Sequence, residues 1–398
     1  MKHVPASVSN SLPPLTRYVD ERMGQICHAF DWLKAVSPCR TQALWENFKA
    51  GGFRVRPRFR YRDPGIDIDA TRKALLDLPI SKVEEPVFKA LLAEKQRELD
   101  RQLELMELRG TRGFMQVSID LFGVAAADLY AAALHILHTV DAGTCVDRNC
   151  VGAAHLIQAA KAQFTHYRRQ RADFSADVRP CRDITAGLMV SKGCLIVSDR
   201  AHFPRDRVDA LLHHEIGTHI LTWYNGGQQP LRQLQFGLAH YDELQEGLGV
   251  LSEYLSGNLS PLRLRTLAAR VVAVRQMTDG ADFRDVFEAL RSEYAFRDRA
   301  AFIIATRVFR GGGLTKDVVY LRGLRDLLEY LREGHPFERL FAGKFSLSQL
   351  PAIKTLCKNG QLNPPALVPS YMHNARAQER LADCGMHTLD NLYQRLVA

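Results

Sequence analysis

Apolar residues recur at helical spacing along most of this chain and alternate in only a few short places. After a Pro-rich start, residues 16–36 and 40–49 carry such a stripe, which Gly51-Gly52 ends. The stretch RVRPRFRYR, 54–62, alternates basic with apolar residues and predicts an extended edge strand with one charged face. A turn follows at Asp63-Pro64-Gly65. Residues 84–110 are rich in strong helix formers with Glu–Lys and Glu–Arg pairs near i+4 spacing, which predicts a long helix. Further helices are expected over 124–140 and 151–170. GLMVSKGCLIVS, 187–198, has two β-rich runs about Ser191-Lys192-Gly193 and predicts a hairpin. A helix then opens near Pro204, with Asp206 and Asp209 at its positive end, and stops at Asn225-Gly226-Gly227. Helical patterns return over 240–256, 261–307 and 318–333, broken at Gly311-Gly312-Gly313. The sum is an α+β chain, mostly helical with a small mixed sheet, rather than a βαβ alternation. It divides into an N-terminal region (1–62) packed on a larger domain (63–398).

Composition narrows the classes. No apolar run at the N-terminus could serve as a signal segment, and the most apolar window, 124–140, contains Asp128 and two His and is short for a membrane span. The expectation is a cytoplasmic protein with no membrane partner. Eight Cys are scattered without a C-x-x-C pair, which fits reduced thiols; only Cys145 and Cys150 lie near each other, a weak metal pair. The net charge of +9 suits an anionic partner such as an acidic peptide. The basic residues are spread along the chain, so nucleic acid is not favoured. No P-loop, dinucleotide fingerprint or nucleophile elbow occurs.

One heptapeptide carries chemistry: HHEIGTH, 213–219. The familiar zinc motif places two His at i and i+4, whereas His214 and His219 are five apart. In a regular helix that spacing separates them by about 140° around the axis. A π turn, which inserts one residue, would restore a common face, and Gly217 lies between them. Zinc needs a third protein ligand. Glu246 in DELQEGLGVLSEYLSG (242–257) is the leading candidate, with Glu243 and Glu253 as rivals; Glu253 is alternatively a partner to a ligating His. Small residues at Gly247 and Gly249 would let the two helices approach. Glu215 suits a general base. The set is gluzincin-like: two His, a distal Glu and a Glu base. His213 is expected to stand behind the ligands, and His135, His138, His202 and His240 to be ordinary polar or core residues.

HEIGTH followed by QEGLG resembles a family named for its QEGLA motif. It contains bacterial proteins described as modulating flavohaemoglobin expression and the microtubule-associated tyrosine carboxypeptidases of animals. ISKVEEPVFKALLAEKQREL (80–99) and TRVFRGGGLTKDVVYLRG (306–323) also look like the family, so the resemblance runs from about residue 60 onward, on the bacterial side. It implies a zincin-like metallopeptidase with Zn2+ as cofactor, His214, His219 and Glu246 as ligands and Glu215 as catalytic base. It also implies a peptide or protein C-terminus as substrate. This chain has Gly249 where the bacterial motif usually shows Ala, a small-for-small change. A carboxypeptidase must hold an α-carboxylate, and Arg307, Arg310 and Lys316 are candidates for it, with Tyr320 placed to stabilise an oxyanion. The alternatives are another zinc amide hydrolase, or a regulatory or peptide-binding protein that keeps zinc for structure.

Overall fold

The structure, a computed structural model, describes residues 12–141, 149–182 and 187–392. Cys145 lies outside these residues; Cys150 is exposed.

Helix dominates, as the periodicity predicts. The long Glu/Lys/Arg-laced segment is one helix, Pro86–Glu107, whose Leu91, Leu92, Leu99 and Leu103 face the core. The span expected as continuous from 261 to 307 is three helices, Pro261–Thr278, Phe283–Ser292 and Asp298–Phe309. Asp282 caps the second of these through the N–H groups of Arg284 and Asp285. The core is one continuous apolar cluster. Trp45 and Phe48 of the N-terminal region pack edge-on or tilted against Phe283, Phe287 and Phe302, which ties that region to the rest.

The strands are few: β1 (Cys150–Gly152), β2 (Asp177–Cys181), β3 (Leu188–Ser191), β4 (Cys194–Ser198) and β5 (His202–Pro204). β1 pairs antiparallel with β5. β2, β4 and β3 form a mixed sheet, parallel between β2 and β4 and antiparallel between β3 and β4. The expected hairpin is β3–β4, and both turn residues, Lys192 and Gly193, take positive φ. That is the mirror-image turn whose twist matches the strands. The turn rests on Trp223: a Cβ on Gly193 would stand 2.6 Å from its indole nitrogen.

The basic stretch 54–62 is not a strand. Its alternation survives, with Pro57, Phe59 and Tyr61 turned inward and Arg58 and Arg60 outward, but no ladder forms. Pro57 removes one donor. Other groups take up the segment instead: Arg109 donates to the Arg62 carbonyl at 2.8 Å, Tyr61 accepts the Gly311 N–H at 2.8 Å, and the Arg60 carbonyl accepts the Cys39 N–H at 2.7 Å.

Two helices fix the centre of the molecule. Tyr241–Leu255 is buried around most of its circumference and packs on Val319–Arg332. They meet backbone to backbone at Gly247 and Gly323: a Cβ on Gly323 would lie 2.1 Å from the Glu243 carbonyl oxygen. The helix carrying the histidines lies against both Tyr241–Leu255 and strands β3 and β4.

Candidate metal centre and its cavity

The histidine helix runs from Val208 to His214, passes through a π turn at Glu215–Ile220 and resumes as α-helix over Leu221–Gly227. The extra residue of HHEIGTH is absorbed in that turn, and the His214 and His219 rings come to 5.1 Å between centroids. Gly217 is not needed for space there. A Cβ on it would find nothing nearer than 3.6 Å, an ordinary contact with Tyr371.

Glu246 meets both histidines. Its Oε2 lies 3.5 Å from His214 Nε2 and 3.7 Å from His219 Nε2. Tetrahedral zinc with ligands at about 2.0–2.1 Å sets ligand atoms about 3.4 Å apart; the two Glu246 contacts are close to that spacing, and the three ligand atoms lie within 4.8 Å of one another. The outer nitrogens are engaged. His214 Nδ1–H donates to Glu253 Oε1 at 3.0 Å, and His219 Nδ1–H donates to Gln245 Oε1 at 3.4 Å. In both rings this leaves Nε2 as the nitrogen that faces Glu246 and would ligate an ion.

The rivals separate cleanly. Glu243 pairs with Arg322 and turns away. Glu253 receives Arg207 at 2.9 Å and Arg263 at 3.1 Å besides His214. His213 does not stand behind the ligands: its ring meets Tyr371 edge-on at 5.4 Å in a separate cavity. The Gly-for-Ala difference is not neutral here, because a Cβ on Gly249 would sit 2.5 Å from the His214 ring.

Electrostatics follow from burial. Burial disfavours charge on His214, but hydrogen bonds to Glu246 and Glu253 outweigh it and raise the ring to about 9 without metal. Burial lowers His219 to about 3. Glu215 is pushed up to about 7 by burial, against the pull of His214. Burial opposes the charge of Glu246 too, yet Lys316 and the histidines hold its carboxyl well below the usual range.

The three residues open on a cavity of about 610 Å³ that Glu215, Tyr320, Arg307, Arg310 and Lys316 also line. β3, which carries no partner strand on its outer edge among the described residues, forms one wall through Leu188, Met189 and Val190. Two of the three expected carboxylate binders are already engaged. Arg307 is bidentate on Asp317, at 2.5 and 2.7 Å. Lys316 lies 2.8 Å from Asp242 and 3.4 Å from Glu246. Arg310 is different. It is buried, donates from Nη1 to Ser37 Oγ at 3.2 Å, and its Nε has no hydrogen-bond partner among the described residues.

The family profile of the microtubule-associated tyrosine carboxypeptidases matches residues 46–387. The chain belongs to this family. It is similar to microtubule-associated tyrosine carboxypeptidase 1 of Mus musculus, at 30% identity over 142 residues, which is 33% of this chain and 29% of the mouse protein. The alignment therefore spans under a third of that relative.

Within this member of the family, the cavity holds cations that sequence reasoning passed over. Arg270, on the Pro261–Thr278 helix, lies over the Tyr320 ring at 5.0 Å. Burial and the neighbouring Arg307 lower it to about 10. Lys344 stands over Trp223 and Tyr241 at 5.6 and 5.7 Å, lowered to about 8 by burial. Neither lies in a motif. The one signal for Arg270 was an arginine inside an otherwise apolar stretch of that helix, LAARVVAV.

Proposed function

We propose that this protein is a zinc-dependent carboxypeptidase that removes a C-terminal residue from peptides or proteins. The observation that carries the reading is the convergence of His214, His219 and Glu246 in a cavity shared with Glu215 and a cationic wall. His214, His219 and Glu246 would hold the ion. Zinc, when bound, supplies Lewis-acid polarisation of a carbonyl and a water that is nucleophilic near neutral pH.

The chain's own groups do the rest. Glu215 takes the proton of the attacking water and passes it to the departing amide nitrogen. Burial favours that exchange, because it brings the carboxyl close to neutral in proton affinity. Tyr320, with its hydroxyl among Arg307, Lys316 and Glu246, steadies the developing oxyanion. Glu253 and Gln245 keep the two imidazoles in one tautomer and orientation. Arg310 receives the substrate's α-carboxylate, since it is buried, carries an unspent donor and has no carboxylate within ion-pair distance among the described residues. β3 accepts the substrate backbone as an added strand.

Stripping the protein of metal and titrating zinc back tests the reading. Release of a single C-terminal residue from a peptide mixture should rise with zinc up to one equivalent. Release that is independent of added metal would contradict it.

A further inference from the structure

The histidine helix borders a second cavity. It measures about 530 Å³ and shares no lining residue with the cavity of the candidate metal centre. Three segments line it: the histidine helix through Asp209 and His213, residues 255–258 at the end of the Tyr241–Leu255 helix, and the C-terminal segment through Tyr371, Arg376 and Arg380.

These residues carry polar groups that the fold leaves unspent. Tyr371 is 4% exposed, yet its hydroxyl has no hydrogen-bond partner among the described residues, and neither has the buried Nδ1 of His213. Buried polar atoms in that state are costly unless a ligand or a water completes them. Charge of both signs lines the cavity as well. Asp209 belongs to the histidine helix. Arg376 and Arg380 are four residues apart on the Ala375–Asp383 helix, and therefore share one of its faces. No ion pair joins Asp209 to either arginine among the described residues. Arg380 is held in place. Its Nη1 donates to the Leu255 carbonyl at 3.0 Å, and its guanidinium lies over Gly257, where a Cβ would come within 2.9 Å of Nη2.

This charge pattern selects a class of ligand. A purely anionic molecule would meet Asp209, and a purely cationic one would meet the two arginines. A small zwitterion offers each wall its opposite charge. We propose that this second cavity binds a free α-amino acid, with its carboxylate at Arg376 and Arg380 and its ammonium group at Asp209. The unspent Tyr371 hydroxyl adds a polar contact on the same wall as the arginines. A free amino acid is also what the proposed reaction releases, and in that respect alone the inference rests on the carboxypeptidase reading.

The test is calorimetric titration of the zinc-loaded full chain with L-alanine, propionate and ethylamine. The last two keep one charge each. Both should bind roughly 10- to 100-fold more weakly than L-alanine, the range of a charge-assisted hydrogen bond. Asp209 and Arg376 are exposed, so Asp209→Asn and Arg376→Gln should fold normally. Each should lose L-alanine affinity by a similar factor while peptide release in the absence of added amino acid stays at the wild-type rate. Arg310→Gln, altered in the first cavity, should bind L-alanine as the wild type does. Wild-type affinity in both Asp209→Asn and Arg376→Gln, equal affinity for propionate, or loss of binding in Arg310→Gln overturns the inference. L-Alanine binding that follows the expected pattern in a chain that releases no residue from any peptide supports the site and counts against the carboxypeptidase reading alone.

Discussion

His214 has little freedom of orientation. Glu253 takes its Nδ1–H at 3.0 Å, Glu246 stands 3.5 Å from Nε2, and the ring lies against Gly249, where any Cβ would come within 2.5 Å. Gly249→Ala should therefore displace the ring and weaken zinc binding roughly 10- to 100-fold, the usual cost of disturbing a ligand's support. Competition with a chromogenic chelator measures it, and an unchanged affinity would show that the ring has room. Glu253→Gln removes the single carboxylate that Arg207, Arg263 and His214 share at a site 1% exposed. Breaking a buried ion pair on one side costs about 3–5 kcal/mol, so a clear fall in urea midpoint is expected, and a midpoint matching wild type would refute the assignment. The convergence of the candidate ligands was legible because a metal constrains residue types and spacing. Arg307 and Lys316, expected as carboxylate binders, both stand against carboxylates of the chain itself: Arg307 pairs with Asp317 ten positions on, and Lys316 meets Asp242 and Glu246 across some seventy positions. The role of Gln245, the first residue of QEGLG, could not be read from the sequence, since only the fold places it behind His219.

The π turn at Glu215–Ile220 could be foreseen from one number, the five-residue spacing of the histidines, because no regular helix brings such a pair to one ion. Its stated cause was less well read. Gly217 has ordinary clearance, so Gly217→Ala should be accepted and should stabilise the helix by up to about 1 kcal/mol, measured by thermal unfolding with zinc retained. A large loss of stability would mean the turn depends on glycine after all. The demanding glycines are those between helices. Gly323→Ala would drive a methyl into the Glu243 carbonyl at 2.1 Å and part the Tyr241–Leu255 and Val319–Arg332 helices, at a cost of about 1–3 kcal/mol or more. A denaturation midpoint equal to wild type would show that the helices can slide apart freely. The stretch 54–62 shows the converse limit. Its alternation correctly marked which side chains face inward, but alternation alone does not supply a neighbouring strand.

Across the whole molecule, the site is built from segments far apart in sequence. The histidine helix, the Tyr241–Leu255 helix, the 307–320 segment and Lys344 reach the same cavity, and residues 37–42 close its far end. A ligand shared among them stabilises the folded chain, by about 2.7 kcal/mol when free metal is a hundredfold above its dissociation constant. Chelation should therefore lower the Tm of the entire chain in one transition. The apolar cluster that spans these segments favours that cooperativity. The mostly helical character and the hairpin could be read from periodicity and turn chemistry. The cationic wall could not, because its arginines are dispersed through separate helices. The central claim, that Glu215 acts as the base at a zinc centre held by His214, His219 and Glu246, is tested most directly by Glu215→Gln. Zinc content and C-terminal trimming should be measured on the same preparation by elemental analysis and mass spectrometry. The account predicts one zinc per chain with trimming reduced about a thousandfold, the middle of the range of general-base contributions. Trimming at the wild-type rate by zinc-loaded Glu215→Gln would contradict it.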